Sequence, residues 1–138
     1  MANFDEAYDI TLGHEGGYTN DPVDVGGETY KGVARAYYPE WHGWNIIDNA
    51  KSESNFPNNL RGDIKLDKMI HVFYKRLYWN RFWGDQISNQ NVANEMFDTG
   101  VNMGVGRAVK YLQKGLNVLN RNQKNYGDIV EDGDFGNT

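Results

Sequence analysis

Cysteine is missing altogether, proline occurs only three times, and no uninterrupted apolar run exceeds a few residues. Without cysteine no disulfide can staple the fold, and no thiolate can help hold a metal. The short apolar runs argue against a transmembrane helix and against the core of a signal peptide. A surplus of positive charge is absent too: 14 Lys and Arg stand against 19 Asp and Glu, a net charge of −5 with an isoelectric point near 5.1. A protein that grips nucleic acid through its phosphates needs a basic stripe, so no nucleic-acid partner is expected. His14, His42 and His71 lie too far apart for metal-ligand spacing, and there is neither a Gly-x-Ser-x-Gly elbow nor a phosphate loop. No metal and no cofactor are expected.

What is present is unusual in another way. Mean hydropathy is −0.75 and only 39% of the 138 residues are hydrophobic, yet four Trp, nine Tyr and six Phe are among them. Disordered chains are poor in aromatics, so the low hydropathy does not mean disorder. Part of that aromatic content is expected to line a binding surface, where Tyr and Trp offer an apolar face with a polar handle. The length suits one compact domain.

Asn3 reads as a helix N-cap with Glu6 three residues on, and Phe4, Tyr8, Thr11, Leu12 and Glu15 recur at helical spacing until Gly16-Gly17. Turn signals at Asn20-Asp21-Pro22 and Gly26-Gly27 flank short β-capable pieces and predict an irregular hairpin over 18–32. Helices are predicted around Val33–Tyr38, for one turn near Ile46–Ala50, from Leu66 to about Asn80, over Asn91–Phe97 with a break at Gly100, and over Gly104–Asn120. On the last of these Val109, Leu112, Leu116 and Leu119 form the inner face. The class is mainly α, or α+β, with one small β element.

Glu15 shares its helical stripe with Tyr8 and Leu12, so spacing points it inward at a helix C-terminus. Desolvation and the helix dipole would both raise the pKa of such a carboxyl, as a general acid requires. Spacing alone leaves a second reading open, in which Glu15 frays into solvent. Asp24 follows nine residues later and Thr29 five after that. Two carboxylates in unlike settings are what glycoside hydrolysis uses, one to protonate the leaving oxygen and one to activate water or steady an oxocarbenium-like centre, and Thr29 could hold that water. Asp24 also reads as an Asx-turn residue.

His14-Glu15-Gly16-Gly17-Tyr18, then Asp21-Pro22, Asp24, Gly26-Gly27, Thr29 and Gly32, resemble the signature of the glycoside hydrolase family 108 lysozymes of phages, prophages and some bacteria. The Glu, Asp, Thr spacing also resembles the catalytic set of the phage-type lysozymes, with the last step one residue shorter. Met96-Phe97-Asp98-Thr99-Gly100-Val101-Asn102-Met103-Gly104 is similar to the family's second characteristic stretch. The resemblance implies a lysozyme-like fold and an N-acetylmuramidase that cuts the β-1,4 bond after N-acetylmuramic acid. It implies Glu15 as catalytic acid, Asp24 as second carboxylate, Thr29 as positioner, and bacterial peptidoglycan as partner. A lytic transglycosylase and a non-catalytic peptidoglycan- or partner-binding module are the rival readings.

A polysaccharide needs aromatic platforms, and Tyr18 and Tyr30 at the hairpin, with Trp41 and Trp44, are the expected ones. Trp79 and Trp83 read better as core. Asn102, between Gly100 and Gly104, is placed either at the substrate or as a helix cap. The catalytic domain is expected over residues 1–121. Asp132-Gly133-Asp134-Phe135-Gly136-Asn137-Thr138 is similar to the turn of small peptidoglycan-binding repeats, so 122–138 is expected to begin such a unit, truncated or poorly ordered. The acidic amino terminus is unlike a secretory leader. The expectation is a monomer made in the cytoplasm that acts on the cell wall after release, without inserting into a membrane.

Overall fold

The computed structural model describes residues 1–13 and 16–136, and five α-helices and one three-stranded antiparallel sheet form among them. In chain order these are α1 (Phe4–Leu12), β1 (Tyr18–Asn20), β2 (Glu28–Tyr30), β3 (Val33–Ala34), α2 (Gly43–Ala50), α3 (Ile64–Leu77), α4 (Gln90–Met103) and α5 (Val105–Leu119). The mainly α class expected from the sequence is the one observed. The chain divides into two compact units, residues 12–73 and residues 1–11 together with those from 74 onward.

The unit made by the two ends of the chain is built on rings. Phe4, Trp79, Phe82 and Phe97 are buried, with Phe4 centred 5.4 Å from both Trp79 and Phe97. Tilted and edge-on arrangements like these suit the ring quadrupoles. Asn3 starts α1 by accepting the Asp5 N–H at 2.8 Å. The reciprocal half of the cap comes from Gln90, not Glu6: Gln90 Oε1 accepts the Asn3 N–H at 2.6 Å and its Nε2 donates to the Asn3 carbonyl at 2.9 Å. Asn89 caps α4 by accepting the Val92 N–H at 3.1 Å. The expected break at Gly100 does not occur. Gly100 is buried where α4 meets Val105, and the helix turns only at Gly104, whose φ of 95° suits glycine.

α5 presents a different face from the one predicted. Val105, Ala108, Val109 and Gln113 point inward, while Leu116 and Leu119 are exposed. The reason lies in the segment after residue 122, which is bound along α5 instead of hanging loosely. Gln113 donates to Asp132 Oδ1 and to the Asp134 carbonyl, and accepts the Gly133 N–H at 2.9 Å. Asn117 exchanges hydrogen bonds with the Ile129 backbone, and Asn120 donates to Asp128. Amides that find partners can be buried, and here they displace leucines from the inner face.

Residues 12–73 form the second unit. Tyr18 pairs with Tyr30, Thr19 with Thr29 and Asn20 with Glu28, and β3 then pairs Val33 with Tyr30. The helix predicted at Val33–Tyr38 is replaced by this third strand and a turn in which the Tyr37 and Tyr38 N–H groups donate to the Ala34 carbonyl. Val33, Trp44, Ile47, Leu60, Leu66 and Ile70 supply the core. Trp41 lies edge-on to Trp44 at 5.3 Å and 6.1 Å from Phe73. Asp63 caps α3 by accepting the Leu66 N–H at 2.9 Å.

Candidate active site

The two faces of the hairpin carry different chemistry because side chains alternate along a strand. Thr19 and Thr29 stand directly opposite each other, and their hydroxyls share a hydrogen bond of 2.6 Å. Tyr18, Glu28 and Tyr30 share the other face, where Tyr18 and Glu28 are diagonal neighbours. The Tyr18 hydroxyl donates to Glu28 Oε1 at 3.0 Å. Lys51 also donates to that oxygen, and Arg35 Nη1 reaches Glu28 Oε2 at 3.1 Å. Arg35 then forks onto Asp48 with two bonds of 2.7 Å, and Lys51 bridges to Asp48 at 3.2 Å. Four charged or polar side chains, Tyr18, Arg35, Asp48 and Lys51, thus close a network around one half-buried carboxylate.

Electrostatics follow from that closure. Desolvation, the largest single influence, pushes the Glu28 carboxyl upward, but hydrogen bonds from Lys51, Arg35 and Tyr18 together hold it below its ordinary value. The Arg35 fork draws Asp48 down to about 2. Burial raises the Tyr18 phenol, and its bond to the Glu28 carboxylate adds to this. Tyr30 is pushed up to about 12 by burial, helped by Asp67 and Asp63.

The residues singled out from the sequence are distributed as follows. Glu15 and His14 lie outside the described residues. Asn137 and Thr138 lie outside them as well. Asp24 is exposed in the β1–β2 loop, where its Oδ1 accepts the Gly26 N–H at 3.3 Å and its carbonyl accepts the Gly27 N–H at 2.9 Å. Thr29 is half-buried with its hydroxyl on Thr19. Tyr18 is half-buried and lines a cavity of about 400 Å³, together with Gly16, Gly17, Lys31, Arg61 and Asp67. Tyr30 borders the same cavity but is only 2% exposed, so little of its ring is offered.

Trp41 is half-buried, stacked near Tyr30 at 6.4 Å. Trp44, expected as a sugar platform, is a core residue: it is 2% exposed and its indole N–H donates to the Tyr38 carbonyl, so no face is left for a sugar. Asn102 belongs to the other unit, on the last turn of α4, and its amide donates to the Asp98 carbonyl at 2.9 Å. Sequence reasoning missed Glu28, Arg35, Asp48 and Lys51. The available signal was a lone acid placed between Gly26-Gly27 and Thr29 on a strand otherwise read only for its turn.

Among the described residues no group of three His, Asp or Glu is arranged to hold a metal, and no helix is long and apolar enough to cross a membrane.

Five helices with a small antiparallel sheet beside a polar cavity place the chain in the mainly α, lysozyme-like class of fold. The family model described as Glycosyl hydrolase 108 matches residues 8–104, a stretch that holds the whole hairpin and α4, and the chain belongs to that family. Its fold is similar to the solved structure of Brucella abortus SagA, with a TM-score of 0.59 and 25% sequence identity over 97% of this chain. The chain spans 64% of that protein's length. No curated protein matches the chain by sequence.

Proposed function

We propose that the chain hydrolyses peptidoglycan as an N-acetylmuramidase, cutting the β-1,4 bond between N-acetylmuramic acid and N-acetylglucosamine in the manner of a phage or prophage endolysin. The observation that carries this reading is the family match across residues 8–104, which contains Glu15, Asp24 and Thr29. In this reading Glu15 gives its proton to the glycosidic oxygen as the bond to C1 breaks. Water then attacks C1, and Asp24 takes the proton that water loses. An exposed Asp24 suits a role that needs an ionised carboxylate next to solvent. Thr29, its hydroxyl already anchored on Thr19, has a lone pair or proton left to orient that water. The protein acts as a monomer on the cell wall after release from the cytoplasm, and uses neither cofactor nor nucleic acid.

Glu15→Gln tests the assignment. Lysis of purified peptidoglycan, followed by turbidity, should fall by at least about a hundredfold, the usual contribution of a positioned general acid, while the melting temperature stays unchanged. Mass spectrometry of the products should find reducing muramic acid ends. An anhydro end would make the enzyme a lytic transglycosylase and remove Asp24 from its role. A parent protein inactive from about pH 4 to 8 would overturn the enzymatic reading.

A further inference from the structure

The cavity beside Tyr18 contains more charge than a neutral sugar requires. Its lining includes two cations, Lys31 and Arg61, and one anion, Asp67. Lys31 is fixed at its backbone, where its N–H donates to the Gly17 carbonyl at 3.2 Å. That bond ties it to the Gly16-Gly17 segment directly following Glu15 in the chain. Lys31 also sits in the left-handed region with φ of 43°, a conformation that costs a residue with a Cβ about a kcal/mol or more and persists only where its surroundings impose it. Its ammonium lies 3.5 Å from Asp67 Oδ1. Arg61 is different. It is exposed at the end of the Asn58–Leu60 turn, its N–H donates to the Asn58 carbonyl, and its guanidinium makes no hydrogen bond or ion pair among the described residues.

An arginine left unpaired on the wall of a cavity, in a chain of net charge −5, is a fork waiting for a planar anion. The sugars of the glycan strand carry no charge in their rings. Its anionic groups are the carboxylates of the peptide, which is joined by an amide to the lactyl carboxyl of N-acetylmuramic acid. A cavity of about 400 Å³ is large enough for a few residues of such a peptide. The geometry points to this cavity as a subsite for the stem peptide, with the Arg61 guanidinium taking a peptide carboxylate in two parallel hydrogen bonds. The Lys31–Asp67 pair offers a further donor and acceptor. The inference rests on the muramidase reading and adds a specificity to it: the enzyme prefers strands that still bear their peptides.

The test compares two substrates, glycan strands with their peptides and strands stripped of them by an amidase, whose newly freed lactyl carboxylates are then capped as neutral amides. The parent should show a higher kcat/KM on the peptide-bearing strands. Arg61→Gln should lower the ratio of the two kcat/KM values about tenfold or more, the usual worth of a charged hydrogen bond, mostly through KM on the peptide-bearing strands. Arg61→Lys, which keeps the charge but loses the fork, should fall between. Equal cleavage of both substrates by the parent, or an unchanged ratio in Arg61→Gln, overturns the subsite and leaves the muramidase reading standing. Titration with a soluble muramoyl peptide settles the case in which neither substrate is cut. Weaker binding by Arg61→Gln then supports the subsite although the hydrolytic reading has failed, and equal binding overturns both.

Discussion

The two units of this chain are held by different physics. In the unit formed by the ends of the chain, Phe4, Trp79, Phe82 and Phe97 are packed ring against ring, and the ion pair of Lys75 with Asp85 lies at the surface. In residues 12–73 the sheet has only eight strand residues, and Glu28, Arg35, Asp48 and Lys51 cross-link it to α2 and the residue that follows. Apolar packing is indifferent to pH, whereas a network of carboxylates and cations responds to it. The difference suggests why the candidate chemistry sits in the second unit. A two- or three-residue strand cannot bury enough area to fix itself, and charged groups that fix it also keep the surface around it polar.

The strongest blow to the comparison is Trp79→Ala. Trp79 is fully buried, touches Phe4, Phe82 and Phe97, and donates to Asp85 at 2.8 Å. Its loss should cost about 3–5 kcal/mol in a urea or thermal melt, a large part of the stability of a domain this size. Most of that cost should be common to pH 4 and pH 7, and only the small share carried by the bond that holds the Asp85 carboxyl below its ordinary value should fade as pH falls. A cost that changes strongly with pH would mean that packing is not what holds this unit.

A pair of glycines sharpens the point, because each lies under an indole. A Cβ on Gly84 would come within 2.2 Å of the fused edge of Trp79, and one on Gly43 within 2.3 Å of the outer edge of Trp41. Trp79 has nowhere to go, so Gly84→Ala should cost about 1–3 kcal/mol. Trp41 is only half-buried and meets the new methyl with its far end, so it can swing aside. Gly43→Ala should therefore cost roughly 1 kcal/mol or less, offset in part by better helix propensity at the start of α2. It should also change tryptophan fluorescence as the Trp41 ring moves. Equal losses in the two variants would show that both rings are equally locked.

Periodicity made α3, α4 and α5 readable, and turn residues made the hairpin readable, because both signals are local. What escaped depended on partners far along the chain. Asn3 was recognisable as a cap, yet its reciprocal partner Gln90 stands 87 residues away. Leu116 and Leu119 look like core on a helical wheel. Only the later arrival of Asp128–Asp134 beside Gln113, Asn117 and Asn120 makes an amide face the inner one. Trp44 was indistinguishable in sequence from Trp41, and burial alone separates them. Glu28, Arg35, Asp48 and Lys51 read singly as solvated charges, since nothing local to any of them announces the other three. The family signature around Asp24 and Thr29 was legible for the opposite reason: its spacing is short and uninterrupted.

Glu28 offers the finest test of the contrast. Its side chain is 14% exposed and accepts from Tyr18, Lys51 and Arg35, so Glu28→Gln keeps the shape but removes the charge that satisfies two cations. Lys51 and Arg35 retain Asp48, which limits the loss to about 1–3 kcal/mol at pH 7. The sign of the pH dependence follows from the direction of the shift. Glu28 is held below its ordinary value of 4.5, so its contribution is fully present above that value and is lost as pH falls through the lower folded value. Asp48, drawn from 3.8 to about 2, adds in the same direction, though it is 41% exposed and water screens it. The melting-temperature gap between parent and Glu28→Gln should therefore be constant from pH 7 to about 5 and close steadily below 4.5, because a protonated Glu28 is nearly a glutamine. Trp79→Ala should keep most of its gap, closing only by the small share that its bond to Asp85 contributes. A Glu28 gap that persists undiminished to about pH 2 would mean that the network holds the hairpin by its shape, and the two units would then differ only in which side chains fill them.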